Sequence, residues 1–317
     1  MRSGETLRVA CLQFSPAHGR VHDNIARADA LLSAQRADLE GVKLLVLPEL
    51  AFQGYHWRNR EHIEPVVDDG TGPITTWCRK VARLLGCVVC CGLATGRPRL
   101  ATGRSRQRRR NSMLVVGPEG HIVNTYDKHF LYASDKTWAE PGEGFRTVER
   151  MPGIPIGPVG LGICMDINPR EFKAPFDAYE FAEFHRQVGS RLVVLSASWC
   201  SNHPDDPPEA FVRKPDSQVY VETLCYWLDR LLPLHGRDVI FVCSNRIGEE
   251  DLQLLGREAS VRNRFTGCSC VISLRDQTVL GALGASDEGL LVVDVPIKGE
   301  GSAPDAAWAR QQRDLYE

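Results

Sequence analysis

Hydrophobic residues along the chain form short runs that alternate with amphipathic segments. Continuous apolar runs, typical of strands buried on both faces, occur in "KLLVLPE", "CVVCCGLA", "RLVVLSASW" and "DVIFVCSN". Between them the apolar residues take a helical spacing, for example in "HDNIARADALLSAQRADLEGV" and "SQVYVETLCYWLDRLLP". This alternation predicts an α/β fold in which helices cover the sheets.

Two other segments predict further strands and a further helix. The stretch "NSMLVVGPEGHIVNTYDK" predicts two strands around a Pro-Glu-Gly turn, and three more short strands are expected between Cys268 and Val295. Asn168 and Pro169 combine an N-cap residue with a proline at the first helical position. They predict a helix from about Pro169 to His185.

No Gly/Ser-rich linker and no shift in composition divides the chain. We therefore expect residues 1–317 to form a single domain, with a core over about residues 7–296 and an exposed tail over residues 297–317. A chain of this length can bury a large hydrophobic core.

Composition and charge narrow the classes of partner and compartment. The formal net charge is -2, which gives no overall field that favours nucleic acid or a membrane surface. No apolar stretch approaches the roughly 20 residues of a membrane span, and "MRSGETLRVACLQF" lacks the apolar core of a secretory signal. Eleven cysteines, several inside apolar runs, favour a reducing compartment. The expected location is the cytoplasm, or both the cytoplasm and the nucleus.

Two segments interrupt the regular alternation. Residues 95–111, with the arginine-rich part at 97–110, carry seven arginines without interleaved aromatic residues. A solvated loop between two strands is favoured over a nucleic-acid or phosphate patch. The proline-rich segment 200–216 fits either a pocket-lining loop or a surface connection.

Polar residues stand directly after several buried strands, where open α/β sheets place their sites. "LLVLPE" ends in Glu49, "NTYDK" in Lys128 and "PVGLGIC" in Cys164, while Trp199 and Asn245 end two others. Each residue alone has an ordinary structural explanation, and a free cysteine is more often a small apolar core residue. Together, a carboxylate, an ammonium and a thiol at converging strand ends indicate a catalytic site.

These three groups together can perform acyl transfer through a thioester. A thiol is only a few per cent ionised at neutral pH, so a neighbouring carboxylate with a raised pKa would serve as its base. Lysine would stabilise the thiolate and the oxyanion, and the N–H of Met165 is a second candidate oxyanion donor. Glycines 157, 160 and 162 leave space around the strand before Cys164. The predicted helix start would favour negative charge there.

Other motifs are weaker. "CVVC" at 87–90 has no second cysteine pair for a metal, and "CSC" at 268–270 fits alternating strand positions. "GPVGLGIC" lacks the full dinucleotide fingerprint, and there is no HExxH motif. No metal and no cofactor is therefore predicted. A Cys–His pair with His56, His129 or His203 stays open, although none is better positioned than Glu49 and Lys128.

The ordered motifs "VACLQFSP", "LLVLPELAFQGY", "NSMLVVGPEGHIVNTYDKHFLY", "GLGICMD", "LVVLSASW", "VIFVCSNRIGEE" and "FTGCSCVIS" resemble the nitrilase superfamily of carbon–nitrogen hydrolases over about residues 7–296. The resemblance implies a four-layer α-β-β-α sandwich and a Glu-Lys-Cys triad, here Glu49, Lys128 and Cys164. It also implies a second glutamate. Glu140 matches best, with Glu143 as the alternative. Oligomers are frequent in the superfamily, so a homo-oligomer is expected.

Within the superfamily, "MDINPREFKAPFDAYEFAEFH" and "KHFLYASDKTWAEPG" are most similar to fungal-type protein N-terminal amidases. Those hydrolases convert N-terminal asparagine or glutamine of polypeptides to the acid and release ammonia. The free α-ammonium of such a substrate needs an anionic partner, for which Asp166 is a candidate beside the alternative of a turn acid. Tyr55, Trp199 and Asn245 are candidate pocket residues. A small-molecule amidase, nitrilase or carbamoylase with the same triad, or a non-enzymatic scaffold, are the alternatives.

Overall fold

Two six-stranded sheets lie face to face in a computed structural model of the chain, which describes residues 6–97, 108–201, 214–252 and 261–297. The strands of the first sheet are, in spatial order, β14 (Gly289–Pro296), β1 (Thr6–Gln13), β2 (Leu44–Val46), β3 (Val88–Arg97), β4 (Arg108–Val116) and β5 (Ile122–Asp127). Those of the second are β13 (Thr278–Ala282), β12 (Cys270–Ser273), β9 (Ile240–Asn245), β8 (Leu192–Ala197), β7 (Val159–Ile163) and β6 (Arg146–Val148).

Helices cover the outer faces of the two sheets, and two short strands form a separate antiparallel ribbon. The helices are α1 (Val21–Ala34), α2 (Arg60–Ile63), α3 (Pro73–Leu85), α4 (Glu180–Gln187) and α5 (Asp216–Arg230). The ribbon pairs β10 (Glu249–Leu252) with β11 (Val261–Arg264). Strands β1, β2 and β3 run parallel, as do β7, β8 and β9, so their carboxyl ends gather at one edge of each sheet.

The alternation along β1 shows how the layers are held. Leu7, Val9 and Cys11 belong to the core between the two sheets, whereas Ala10 and Leu12 belong to the core under α1 and α3. Successive side chains of a strand point to opposite faces, so a strand that is apolar throughout is buried on both. The predicted α-β-β-α sandwich is confirmed, and so is the hairpin of β4 and β5.

The helix predicted from Pro169 to His185 is wrong over its first half. Residues 170–178 form short 3-10 turns, and α4 begins only at Glu180. Pro175 disfavours helical backbone at the residue before it. Glu171 has φ +57° and Tyr179 has φ +45°, so the chain leaves the right-handed helical region on both sides of the proline.

The arginine-rich segment is less solvated than predicted. Arg109 and Arg110 lie within β4 and are buried, and the guanidinium of Arg109 pairs with Glu64. Residues 98–107 lie outside the described part of the chain, as do residues 298–317 of the predicted tail. In the ranges that are described, no helix has the length and apolar character to cross a membrane.

Candidate active site

Glu49 lies just after β2, at the junction of the two sheets. The chain leaves β2 through Leu47 and Pro48, and the N–H of Glu49 donates to the carbonyl oxygen of Ala197 at the end of β8, at 3.3 Å. Strand β3 permits this approach because it carries Gly92, where an added Cβ would lie only 2.4 Å from Cα of Glu49. The side chain of Glu49 is fully buried. The fold thus places a carboxylate where the two sheets meet.

Lys128, the first residue after β5, lies between two carboxylates. Its Nζ is 2.6 Å from Oε1 of Glu49 and 2.6 Å from Oδ2 of Asp135, and all three side chains are fully buried. Asn111 on β4 donates from Nδ2 to Glu49 at 2.7 Å and to Asp135 at 3.0 Å. Each charge in this cluster therefore has a hydrogen-bonded partner, which buried ionised groups require.

The pKa shifts in this cluster suit a general base. Burial raises the pKa of Glu49 above its ordinary value, and the charge of Asp135 adds to the rise, while Lys128 and Asn111 oppose it. Burial alone would lower the pKa of Lys128, but the charges of Asp135 and Glu49 raise it above its usual range. Glu49 can therefore accept a proton at a pH where a solvated glutamate would stay ionised, while Lys128 keeps its charge.

Cys164 directly follows β7 and lines a cavity. Its φ of +42° is a left-handed conformation that costs a non-glycine residue about 1–3 kcal/mol and is common at functional sites. Burial raises the pKa of the Cys164 thiol well above its ordinary value; the charge of Glu49 raises it further, and Lys128 lowers it. The resting site therefore holds a neutral thiol near a base rather than a preformed thiolate.

Gly160 and Gly162 leave space beside β7, as predicted. An added Cβ at Gly160 would meet the ring of His185 at 2.5 Å, and one at Gly162 would meet the ring of Phe181 at 2.6 Å. Helix α4 fills the space that these glycines leave. The turn after Cys164 is a 3-10 turn over Cys164–Ile167 instead of a helix start. No dipole of a longer helix begins there to favour negative charge.

The cavity beside Cys164 has a volume of about 400 Å³. Met165 and Ser198 also line it, and the Ser198 N–H donates to Oε2 of Glu49 at 3.0 Å, which connects the cavity to the buried cluster. Five aromatic residues contribute to its walls: Tyr55, Tyr132, Phe172, Trp199 and Tyr226. Such a cavity, apolar with a few polar groups, is typical of small-ligand sites. Three of the site residues predicted from the sequence, Tyr55, Met165 and Trp199, do line this cavity.

Asp166 does not face the cavity, and its predicted role as a substrate anchor is wrong. The carboxylate is fully buried and accepts from the N–H groups of His129, Phe130 and Ile163 and from the hydroxyl of Tyr126, at 2.8–3.1 Å. Burial raises its pKa, and these donors oppose the rise. Asp166 holds the segment after Lys128 against the segment around Cys164, which makes it a positioning residue.

Asn245 also lies behind the cavity wall rather than in it. Its Oδ1 accepts from the Trp199 N–H at 2.8 Å, and its Nδ2 donates to Oγ1 of Thr266 and to the carbonyl of Gly267, at 3.0 and 2.7 Å. The prediction that Asn245 contacts substrate is corrected: it joins two segments of the wall.

The acid that contacts Lys128 together with Glu49 is Asp135, whereas the predicted Glu140 lies outside this cluster. Glu140 pairs with Arg60 at 2.8 Å and Arg108 at 3.5 Å, and Glu143, the alternative, is exposed near Arg146. Neither contacts Lys128. The loop after Lys128 turns back on itself, with the Asp135 N–H donating to the Tyr132 carbonyl, and this brings Asp135 to the ammonium. Its position, seven residues after the lysine, was the only signal in the sequence.

The histidines and the cysteine pair that the sequence offered as alternatives have other surroundings. Burial lowers the pKa of His56 to about 4, and its ring stacks on Phe265. His129 shares a hydrogen bond with the Gly142 carbonyl, and His203 lies outside the described residues. All eleven cysteines are free, including those of "CVVC". Among the residues that the structure describes, no group of three or more His, Cys, Asp or Glu side chains could hold a metal ion.

Known proteins resemble this chain in sequence. The model of the carbon–nitrogen hydrolase family matches residues 8–178. The chain is 32% identical to a protein N-terminal amidase of Schizosaccharomyces pombe over 305 residues, 90% of this chain and 98% of that one. It is 27% identical to a protein N-terminal amidase of Saccharomyces cerevisiae over 62% of this chain and 46% of that one.

The fold is also found in solved structures. A crystal structure of N-terminal amidase with an Asn-Glu peptide superposes with a TM-score of 0.71 and covers 92% of this chain and 97% of that chain. The identity is 19%, so this likeness concerns the fold alone.

Proposed function

The chain belongs to the carbon–nitrogen hydrolase family, and from this premise we propose that it deamidates N-terminal asparagine and glutamine of polypeptides. The observation that carries the proposal is the buried Glu49–Lys128–Asp135 cluster beside the Cys164 cavity. This set of groups is built for thioester chemistry on an amide. The N-terminal amidases with which the chain shares identity support the substrate class.

In the proposed first half-reaction, Glu49 takes the proton of the Cys164 thiol as Sγ attacks the amide carbon. Lys128 and the N–H of Met165 stabilise the oxyanion that forms on the amide oxygen. Glu49 then passes its proton to the amide nitrogen, the carbon–nitrogen bond breaks, and ammonia leaves. An acyl group remains on Cys164 as a thioester.

In the second half-reaction, Glu49 removes a proton from water, which attacks the thioester carbonyl. The bond to Sγ breaks, the thiol regains its proton, and the product is an N-terminal aspartate or glutamate. Asp135 keeps Lys128 protonated and oriented throughout, because it accepts a hydrogen bond from Nζ without taking part in proton transfer.

The proposal extends to organisation and location. Residues 1–317 act as one domain, supported by the shared core between the two sheets. The enzyme works in the cytoplasm, and also the nucleus, because eleven free thiols suit a reducing compartment. A homo-oligomer is proposed from the family resemblance, and light scattering in solution tests it.

Mass spectrometry of a synthetic peptide that begins with Asn tests the activity directly. We expect the first residue to gain the mass difference between amide and acid, with stoichiometric ammonia, and Cys164→Ala to abolish both. The same peptide with Asn at its second position is the matched substrate control and stays unchanged. Hydrolysis of small free amides together with an unchanged N-terminal Asn would overturn the proposed specificity in favour of a small-molecule amidase.

A further inference from the structure

The proposed substrate carries a positive charge that the site must accommodate. The α-ammonium of an N-terminal residue is separated from its side-chain amide carbon by three bonds in Asn and four in Gln, at most about 4 Å and about 5 Å with standard bond lengths. When the amide lies at Cys164, the ammonium therefore remains within the same cavity. Burying it there without a partner would be costly.

Among the described residues that line the cavity, the charged ones are Lys214 and Glu222. The carboxylates of Glu49 and Asp135 already share Lys128 beneath the cavity, and Asp166 accepts four hydrogen bonds behind it. Among the described residues, Glu222 therefore supplies the carboxylate that lines the cavity. Its side chain is 48% exposed, so an incoming peptide can approach it from solvent.

Glu222 lies on the side of α5 that lines the cavity. Val219, Thr223 and Tyr226 of the same helix also line the cavity, three residues before, one after and four after Glu222. These spacings place the four residues along one side of the helix. Tyr226 lies one helical turn after Glu222 and also lines the cavity, where an aromatic face can add a favourable contact for an ammonium.

Glu222 already holds a primary ammonium in this structure. Oε2 lies 2.7 Å from Nζ of Lys214, and Oε1 accepts from Nε2 of Gln218 at 2.8 Å. The Lys214 ammonium has the same three N–H donors as a peptide N-terminus. The cavity lining therefore already contains an ion pair of the kind that a substrate ammonium would form with Glu222.

We propose that Glu222 binds the α-ammonium of the substrate's N-terminal residue and that Lys214 is the internal group it displaces. This inference rests on the proposed function, because it assigns the recognition step of that reaction. The exchange costs little, since an exposed Lys–Glu pair contributes at most about 1 kcal/mol. Lys214 then competes with substrate, and Glu222 selects amides that carry a free α-amine.

Binding is measured by calorimetry in a Cys164→Ala background, where substrate is not consumed, with a peptide that begins with Asn. Glu222→Gln is expected to raise Kd about 10-fold, which corresponds to about 1.4 kcal/mol. Asp229→Asn, an exposed acid on the same helix outside the cavity, is the matched control and keeps Kd within twofold. Lys214→Met is expected to lower Kd two- to fivefold because the competitor is gone.

Two further readouts separate recognition from a loss of structure. The α-ammonium loses its proton near pH 8, so binding should weaken above that pH with Glu222 present and change little in Glu222→Gln. The N-acetylated peptide should bind weakly and equally to both. Equal Kd values for Glu222→Gln and Asp229→Asn, or an equal loss with the acetylated peptide, would overturn the inference.

The same experiment distinguishes failure of the inference from failure of the proposed function. Glu222-dependent binding of a peptide that the enzyme with Cys164 does not deamidate would retain the recognition step and refute the activity. Deamidation by the enzyme with Cys164, with binding independent of Glu222, would retain the activity and refute the recognition step. Absence of any peptide binding would refute both.

Discussion

The base of the site and its mouth are built in opposite ways. At the base, Glu49, Lys128 and Asp135 have no exposed side-chain surface and hold each other at 2.6 Å. At the mouth, Lys214 and Glu222 form a pair with 42% and 48% of their side chains exposed. Burial strengthens every interaction and shifts the pKa of Glu49, whereas solvent weakens the outer pair. Under the proposed function, the chemistry is fixed in the interior, and the proposed role of Glu222 assigns substrate choice to exchangeable contacts at the mouth.

The largest expected effect is at the base. Glu49→Gln keeps the size of the side chain but removes the base, and its NH₂ group must face a donor on one side, so kcat should fall about 10²–10⁴-fold. Steady-state ammonia release from an Asn peptide measures this, with circular dichroism to verify folding. A folded variant with near-normal kcat would mean that another group deprotonates Cys164.

Asp135→Asn should lower kcat about 10–100-fold, because Lys128 loses one of its two carboxylates. Glu49 must be ionised to act, and its pKa is raised from 4.5, so activity is expected to fall as pH decreases, starting above that value. Since the charge of Asp135 contributes to that rise, the acidic limb of the kcat/KM profile should move to lower pH in the variant.

Glu140→Gln is the matched control for Asp135→Asn. Its carboxylate pairs with Arg60 outside the cluster, so the rate and the acidic limb should stay near those of the unmodified enzyme. If Glu140→Gln impaired catalysis and Asp135→Asn did not, the assignment of the second acid would have to return to Glu140.

Behind the base, Asp166→Asn should act on stability first. An amide oxygen accepts fewer of the four hydrogen bonds that Asp166 receives, and its NH₂ group would face N–H donors. We expect a loss of about 1–3 kcal/mol in the free energy of unfolding, measured by urea denaturation. A selective increase in KM with unchanged stability would instead favour the anchoring role predicted from sequence.

The smallest effect is expected at the mouth. Phe172 is 41% exposed and lines the cavity, so Phe172→Ala removes an apolar contact to the peptide without touching the cluster. KM should rise about two- to fivefold while kcat stays within twofold, measured with Asn peptides that differ at the second residue. A large fall in kcat would show that base and mouth are not independent.

The sequence predicted those features that depend on one segment at a time. Apolar runs identified strands of both sheets, and the polar residues after them included Glu49, Lys128 and Cys164. The structure brings Glu49 and Lys128 into contact because β2 and β5 end at the same edge of the first sheet.

Features that depend on how segments meet were not predictable. Asp135 contacts Lys128 only because its loop turns back, and a spacing along the chain carries no information about that turn. Asp166 and Asn245 differ from residues in a cavity wall only in the direction of their side chains. The role proposed for Glu222 could not be predicted either, because a helical acid beside Lys214 is indistinguishable, in sequence, from a solvated ion pair.

An acyl-enzyme on Cys164 can be trapped by quenching the reaction of an Asn peptide in acid within milliseconds to seconds and mapping the protein by mass spectrometry. We expect an adduct on the fragment that contains Cys164, with the mass of the peptide less ammonia, and no adduct in Cys164→Ala. An adduct on any of the other ten cysteines, or turnover of the peptide by Cys164→Ala, would contradict this mechanism.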